Sequence, residues 1–415
     1  MHCPSANVSN DLGAPPAWTP LDEPHRLEED SGSYFRDTNA ARCPNYPLEP
    51  AVRTVLAETE GLKAQEVDLF ACSSTVGSLL RFVRRIDKSF RFFVEAVGNT
   101  VFFTRHENSP TQVLVGVRGY GHTFPDAYTT WDADVKGSTS HQRLLKYKLA
   151  GLDCILRFEC DGYLPSKVPG GVSTLASVGD QKSTEGEPDL ASLLERAKVS
   201  SSLTGKIPQQ GPLQISKSGQ KIPQAAVFDL KTRSGRKKGL SVLDDELPRY
   251  WLAQIPNFIL ARHDGRGLFD DISVQDVRDD VEEWQAANQE DIRRLIWLLH
   301  KIIDAVKARP DRKLEMCCKD LDALELRLQD TDKHDVLPPE LKLRWMEEGP
   351  GQGSPVDKGP ASDEGEDEDD DPTRSKAFRT ATGSDIDSFD SDDGSEKDYT
   401  ACSADSCGYC GHCSY

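Results

Sequence analysis

Two short clusters in the chain carry residue types suited to hydrolytic chemistry: Glu159-Cys160-Asp161 and Asp229-Leu230-Lys231, each ending an apolar run. Side chains at i and i+2 of a β-strand share a face. Glu159 should therefore project with Asp161, and Asp229 with Lys231. Two such strands side by side would bring three carboxylates and one ammonium to a common point. Carboxylates are the hard oxygen ligands that Mg²⁺ or Mn²⁺ prefers. A lysine among them can orient an attacking water or offset charge developing on a phosphate. An E-x-D or a D-x-K by itself is common and reads as solvated surface charge. Here both occur in order, directly after Phe158 and Phe228, and a charge on an otherwise buried strand is costly unless it is paired or metal-bound.

The flanking sequence supplies elements to position them. Alternation over 143–149, a break at Ala150-Gly151 and a second run over 152–161 predict a hairpin that delivers Glu159 and Asp161 at its exit. Residues 213–218, a turn at Gly219-Gln220 and 225–231 predict another, carrying Asp229 and Lys231. A third hairpin is expected over 91–105 about Gly98-Asn99, a strand at 67–72, a helical turn at 79–83 and a helix at 50–60. Downstream, 245–255 reads as a helix and 257–262 as a buried strand. Within 272–308, apolar residues at 292, 295, 296, 299, 302, 303 and 306 mark an amphipathic helix.

Composition sets the limits. The chain has 415 residues, only 37% hydrophobic, with a formal net charge of −19. Residues 351–400 hold 16 Asp/Glu and 5 Lys/Arg, so −11 sits there and −8 elsewhere. That balance argues against broad electrostatic capture of nucleic acid, though not against a local basic cleft. Residues 1–46 read as a disordered arm and 47–346 as one α+β domain with a low-complexity insertion at 166–210. Residues 347–400 read as a disordered acidic tail suited to basic partners, and 401–415 as a Cys-rich terminus. No secretory signal or membrane-length apolar run is evident, and eleven cysteines, an odd and largely scattered number, suit a reducing compartment. An intracellular protein, nuclear or cytoplasmic, is expected.

Other residues carry weaker signals. Lys237 and Lys238 follow the second cluster and suit RNA phosphates or a nuclear signal, against the plainer reading of a solvated turn. His122 with Asp126 is balanced between metal ligation and a turn that satisfies local backbone. Asp132 and Asp134 read as a solvated loop. Tyr250 and Trp251 read as core before base-stacking. Cys402, Cys407, Cys410 and Cys413 have a zinc-like thiolate density, but in too short a tail to fold around an ion, so a reactive or interaction tail weighs more. Ser384, Ser388 and Ser391 precede acidic residues, as acidophilic kinases prefer. The run 363–371 (DEGEDEDDD) lacks the helical neighbours that an aspartate-rich prenyl-transfer motif requires.

Four stretches together resemble the DXO-type RNA decapping nucleases, a branch of the PD-(D/E)XK nuclease superfamily. The stretch 143–161 is similar to that family's hairpin ending in Glu-x-Asp, 227–232 (VFDLKT) to its Glu-(Leu/Ile)-Lys-Thr, 250–262 to its Trp-x-Gln segment and buried strand, and 119–128 to its Gly-Tyr-x-Phe-Glu. The resemblance spans about Glu66 to Val306. It implies a PD-(D/E)XK-like mixed β-sheet core, bifurcated and flanked by helices, with a divalent metal held by Glu159, Asp161 and Asp229. It further implies that Lys231 assists the water and that Gln254 contacts the 5′-end phosphate or the neighbouring shell. The implied chemistry is hydrolysis at RNA 5′ ends, namely caps, triphosphate or an NAD cap, with 5′→3′ exoribonuclease action in some members and a larger exonuclease as a further partner. Two departures stand out. Phe124 is followed by Pro125, leaving Asp126 one residue late as a substitute acid, and the family's Arg-Gly-x-Leu reads Val76-Gly77-Ser78-Leu79, with Arg81 as a displaced replacement.

Three functions follow: a metal-dependent hydrolase of RNA 5′ ends, a catalytically weakened homologue acting as an RNA-processing adaptor, or a PD-(D/E)XK nuclease acting on DNA. The departures motivate the second.

Overall fold

The structure is a computed structural model that describes residues 13–169, 213–235, 241–329 and 335–347, except for 32, 36, 60–61, 106–110, 112, 116 and 214. In chain order the elements are β1 (Ala17–Trp18), β2 (Ser33–Phe35), α1 (Thr38–Arg42), α2 (Glu49–Glu58), β3 (Leu69–Cys72), α3 (Ser73–Val83), β4 (Phe90–Val97), β5 (Thr100–Arg105), β6 (Val113–Val115), α4 (Thr123–Tyr128), β7 (Thr129–Thr130), β8 (Gln142–Leu149), β9 (Leu152–Glu159), β10 (Gly162–Tyr163), β11 (Val227–Ser234), α5 (Val242–Ala253), β12 (Asn257–His263), β13 (Phe269–Asp276), α6 (Arg278–Ala287), α7 (Gln289–Lys307), β14 (Lys313–Cys318), β15 (Leu324–Arg327) and α8 (Pro339–Glu347). This is the expected α+β class. No described helix is long and apolar enough to cross a membrane.

Two mixed sheets carry the architecture. One has seven strands in the order β15-β14-β4-β5-β3-β9-β8, the other six in the order β13-β12-β11-β10-β1-β7, and β2 pairs with β6 apart from both. The hairpins expected over 91–105 and 143–159 form as read. At the second, Ala150 (φ 49°) and Gly151 (φ 95°) both take the left-handed conformation of a two-residue turn.

Side-chain alternation decides which core each strand joins. Leu69 and Ala71 of β3 face one hydrophobic cluster, Phe70 and Cys72 the other. The first cluster lies under α3, α5, α6 and α7, and takes in all seven apolar positions read on α7. The second lies under α2 and α8, where Trp345 packs edge-on to Phe70 and Phe102 and donates its indole N–H to Thr100 Oγ1 at 3.0 Å. A third cluster joins α4 to Phe228, Leu230, Ile259 and Ala261 of the six-stranded sheet.

Several expectations need correction. Residues 215–218 form no strand, so the hairpin expected across 213–231 is absent. Instead β11 runs parallel to β12 and antiparallel to β10, because α5 supplies the crossover that a parallel pair requires. Nor do the two acidic strands lie side by side, since β9 and β11 belong to different sheets. The amphipathic helix read within 272–308 is α7, and the sequence reading did not resolve what precedes it, the strand β13 and the helix α6. The segment from residue 13, expected to be a loose arm, joins the domain: Ala17 pairs with Tyr163 and Thr130, and the Asp30 carboxylate accepts from the N–H groups of His122 and Thr123 at the start of α4. The insertion expected from 166 begins in ordered chain, where Lys167 Nζ bonds Asn257 and Asp276. The remainder of that insertion from 170, the acidic tail beyond 347 and the Cys-rich terminus lie outside the described residues.

Gly162 fixes the passage between the sheets. A Cβ there would lie 2.3 Å from Phe228 Cζ and 2.7 Å from the Pro16 carbonyl oxygen. The backbone of β10 is thus wedged between β1 and β11 immediately after Asp161. Gly162→Ala must displace one neighbour or the other, so it should lower stability by about 1–3 kcal/mol, the usual cost of overpacking. A urea denaturation midpoint equal to that of the unaltered chain would contradict the close approach.

Candidate active site at the junction of the sheets

The four residues singled out from sequence do converge, by a route different from simple pairing. The chain leaves the seven-stranded sheet at Glu159, passes Cys160 and Asp161, and enters the six-stranded sheet at Gly162, opposite Phe228. Asp161 therefore stands in the junction, where its Oδ2 accepts the Leu230 backbone N–H at 2.8 Å. On β11, Phe228 and Leu230 turn to the cluster shared with α4, while Val227 joins the cluster beneath α5. Asp229 and Lys231 share the face of Val227 by parity and meet α5, where the Tyr250 hydroxyl donates to Asp229 Oδ2 at 2.8 Å. Lys231 Nζ stands 3.6 Å from the same oxygen.

Helix α5 adds two charged residues that the sequence reading passed over. Arg249 Nη2 lies 2.5 Å from Asp229 Oδ2, and Arg249 Nε donates to Glu246 Oε2 at 2.8 Å. Glu246 and Asp229 are both buried. Glu246, Arg249, Tyr250 and Ala253 follow one another at helical i, i+3, i+4, i+7 spacing, so all four share a face. The legible signal was a Glu and an Arg on the same helix face as the apolar residues.

The electrostatics divides the cleft. Burial works against the charge on Asp229, but Arg249 and Lys231, with hydrogen bonds from Arg249 and Tyr250, hold its pKa well below the carboxylate range. Burial likewise works against Glu246, and Arg249 and Lys231 keep it ionised. Asp161 behaves in the opposite way. Burial, then the neighbouring Asp229 charge, push its carboxyl up to about 8; Glu159 adds to this, while Lys231 and the Leu230 N–H oppose it. Glu159 is exposed at the end of β9, with protein packed closely around its carboxyl. The loss of surrounding water, with Asp37 and Asp229 nearby, raises its pKa against Lys231 and Arg157. Burial disfavours the Lys231 charge, and Asp229, Glu246 and Asp161 overcome it, so the ammonium is held protonated.

These residues suit a hard divalent cation in donor type, being all oxygen. They suit it in charge as well, because the repulsion that raises Asp161 is what a dication would relieve. They are not preassembled for it. Among the described residues no three His, Cys, Asp or Glu side chains are gathered closely enough to hold an ion. Asp229 already carries Arg249, Tyr250 and Lys231.

The remaining candidates are placed as follows. Asp126 is exposed on α4, which packs against the Phe228–Leu230 face of β11, opposite Asp229; it is not brought to the carboxylates, and its charge acts instead on Tyr34. His122 stacks on Tyr34 with ring centroids 3.7 Å apart, which favours the turn reading over the ligand reading. Asp132 accepts from Gln220 and Asp134 from the Gly219 N–H, so both tie down the 215–220 segment. Gln254 closes α5 in a left-handed conformation (φ 51°), with its side-chain amide donating back to the Trp251 carbonyl at 2.6 Å. That amide is engaged by its own helix end rather than held out toward a phosphate. Arg81 lies on α3 with its guanidinium donating to Ser78 Oγ. Trp251 is core, bonded to Gln285. Lys237, Lys238, Cys402, Cys407, Cys410 and Cys413 lie outside the described residues.

A family model described as "Domain of unknown function (DUF8563)" matches residues 5–345. No curated protein matches the chain. Among solved structures it is similar to Rai1 of S. pombe, at 10% identity and TM-score 0.47, covering 79% of this chain and 95% of the other. It is also similar to Scheffersomyces stipitis Rai1 in complex with (3'-NADP)+ and calcium ion, at 12% identity and TM-score 0.45, covering 82% and 89%. A third is K. lactis Dxo1 in complex with manganese, at 7% identity and TM-score 0.40, covering 68% and 70%.

The raised Asp161 pKa has a sign that can be tested on metal-free protein. An acid whose pKa is higher folded than unfolded adds stability below its unfolded pKa, and that stability is lost as pH rises toward the folded value. Between pH 4 and pH 8 the native chain should therefore lose thermal stability relative to Asp161→Asn, whose amide oxygen can still accept the Leu230 N–H. A difference in melting temperature between the two proteins that is the same at pH 4 and at pH 8 would contradict the burial of an acid beside Asp229.

Proposed function

We propose that the chain, which belongs to the family described as Domain of unknown function (DUF8563), is a divalent-metal-dependent hydrolase acting on phosphate at RNA 5′ ends. The observation that carries this reading is geometric: Asp161 is bonded to the Leu230 N–H at the junction of the two sheets, and Lys231 stands 3.6 Å from the buried Asp229. The motif resemblance to the decapping nucleases supplies the RNA 5′ end as substrate.

In this reading Glu159, Asp161 and Asp229 hold the ion. A bound Mg²⁺ or Mn²⁺ supplies Lewis acidity toward the phosphate and a more acidic water. The protein's own residues set the geometry. The Leu230 N–H fixes Asp161, and Tyr250 fixes Asp229 from the helix side. Lys231 is held as an ammonium by the carboxylates around it, and it orients the attacking water or offsets charge on the phosphate oxygens. One observation favours the adaptor reading: Arg249 already neutralises Asp229, as suits a site that has given up its metal. Metal binding separates the two.

The test uses the full chain, because β1 and Asp30 belong to the domain. RNAs bearing an unmethylated cap, a triphosphate, an NAD cap or a monophosphate are incubated with Mn²⁺ or Mg²⁺. Release of cap, pyrophosphate or nucleotide is expected, and Lys231→Ala or Asp161→Asn should slow it by about 10²–10⁴-fold, the usual scale for losing one catalytic group. No turnover on any RNA, together with no bound Mn²⁺, would replace the hydrolase with the adaptor.

A further inference from the structure

Asp229 is the most heavily engaged carboxylate of the cleft, and Arg249 is its principal partner. The Arg249 guanidinium spans two buried acids, with Nη2 2.5 Å from Asp229 Oδ2 and Nε bonded to Glu246 Oε2 at 2.8 Å. Its carbon lies 5.0 Å from the Tyr250 ring centroid, and the Arg249 side chain keeps 29% of its surface exposed. One edge of a planar, five-donor cation is thus fixed on α5 while another occupies the carboxylate that the proposed reading assigns to metal. A dication and a guanidinium on the same carboxylate repel one another, so each weakens the other's hold. A phosphate group offers the guanidinium a bidentate partner as good as Asp229. The ion pair to Glu246 keeps Arg249 at the cleft when it changes partner.

We propose that Arg249 couples metal and phosphate binding: its ion pair with Asp229 excludes a divalent cation until a substrate phosphate draws the guanidinium away. This rests on the metal-dependent reading above. Binding free energies are reciprocal, so phosphate tightens the metal by the same factor that the metal tightens phosphate. Arg249 is then a positioning residue for the metal and a direct contact for the substrate phosphate. The chain would bind its ion weakly when no substrate is present.

The test is a Mn²⁺ titration of the full chain, with free Mn²⁺ read by its paramagnetic resonance, with and without adenosine 5′-monophosphate and corrected for Mn²⁺ bound by the nucleotide alone. The unaltered chain is expected to bind Mn²⁺ about tenfold more tightly with the nucleotide, within the usual range of such couplings. Arg249→Gln should bind Mn²⁺ more tightly without nucleotide, and gain less than twofold from it. The double variant Arg249→Gln with Glu246→Gln removes both charges of the pair, so an unpaired buried Glu246 cannot be the cause. Equal Mn²⁺ affinities and equal nucleotide effects in all three proteins would overturn the coupling while leaving the hydrolase reading standing. Absence of Mn²⁺ binding in all three, with or without nucleotide, would overturn both.

Discussion

Crowding carboxylates at the junction of the two sheets is the constraint to which the rest of the site answers. Three acids meet where the chain steps from one sheet into the other, and a fourth, Glu246, is buried on the helix behind them. Without countercharge, ions removed from water cost several kcal/mol each, by about the amount that drives a group to neutralise instead. The fold responds in two ways. On the α5 side it supplies Arg249 and Lys231, and the acids there stay ionised. On the β9–β10 side it supplies one backbone N–H, and Asp161 takes the proton-binding form up to about pH 8. The same cleft thus holds an acid kept charged and an acid kept neutral a few residues apart in space.

That division depends on architecture. β9 and β11 lie in different sheets, so Glu159 and Asp229 reach the junction from separate ladders. Asp229 turns toward the helix by parity with Val227, whose side chain joins the cluster beneath α5. Gly162 makes the step possible by letting the backbone pass between Phe228 and Pro16. The parallel pairing of β11 with β12 then returns α5 across the face that carries Asp229 and Lys231, as a crossover must. Tyr250 sits where that helix can reach the strand.

Much of this was legible in sequence, and the limits have physical causes. The hairpin turn at Ala150-Gly151, the seven buried positions of α7 and the joint projection of Asp229 with Lys231 follow from local periodicity, which sequence states directly. The choice of strand partners does not. Residues 215–218 were expected to be a strand because a turn-like Gly219 follows them, yet that segment is held by Asp132 and Asp134 through Gln220 and Gly219. Short segments such as β1 and β10 have two residues each and no periodicity to detect, although they join the arm to the site. Arg249 was missed because an arginine on a helix normally reads as solvated. Its shared helix face with Glu246, Tyr250 and Ala253 was the available signal, and the burial of those three residues bears it out.

The acidic total of the chain has less bearing on the site than the placement of a few cations. Arg157, two residues before Glu159, offsets its rise only in part, because the same guanidinium also bonds the Pro47 carbonyl and the Cys72 sulfur. Arg105 is committed to Asp37, which caps α1. With those cations engaged elsewhere, Lys231 is left to serve Glu159, Asp161 and Asp229 together, and Arg249 takes most of Asp229. The shortage of positive charge therefore falls on the pair Glu159 and Asp161. Electrostatic energy scales with separation and local dielectric rather than with net charge, so a chain at −19 can hold a phosphate-directed site if its few local cations stand where the phosphate must lie. Lys231 and Arg249 are the two cations placed beside Asp229, one from β11 and the other from α5, the helix that the crossover between β11 and β12 lays across that strand.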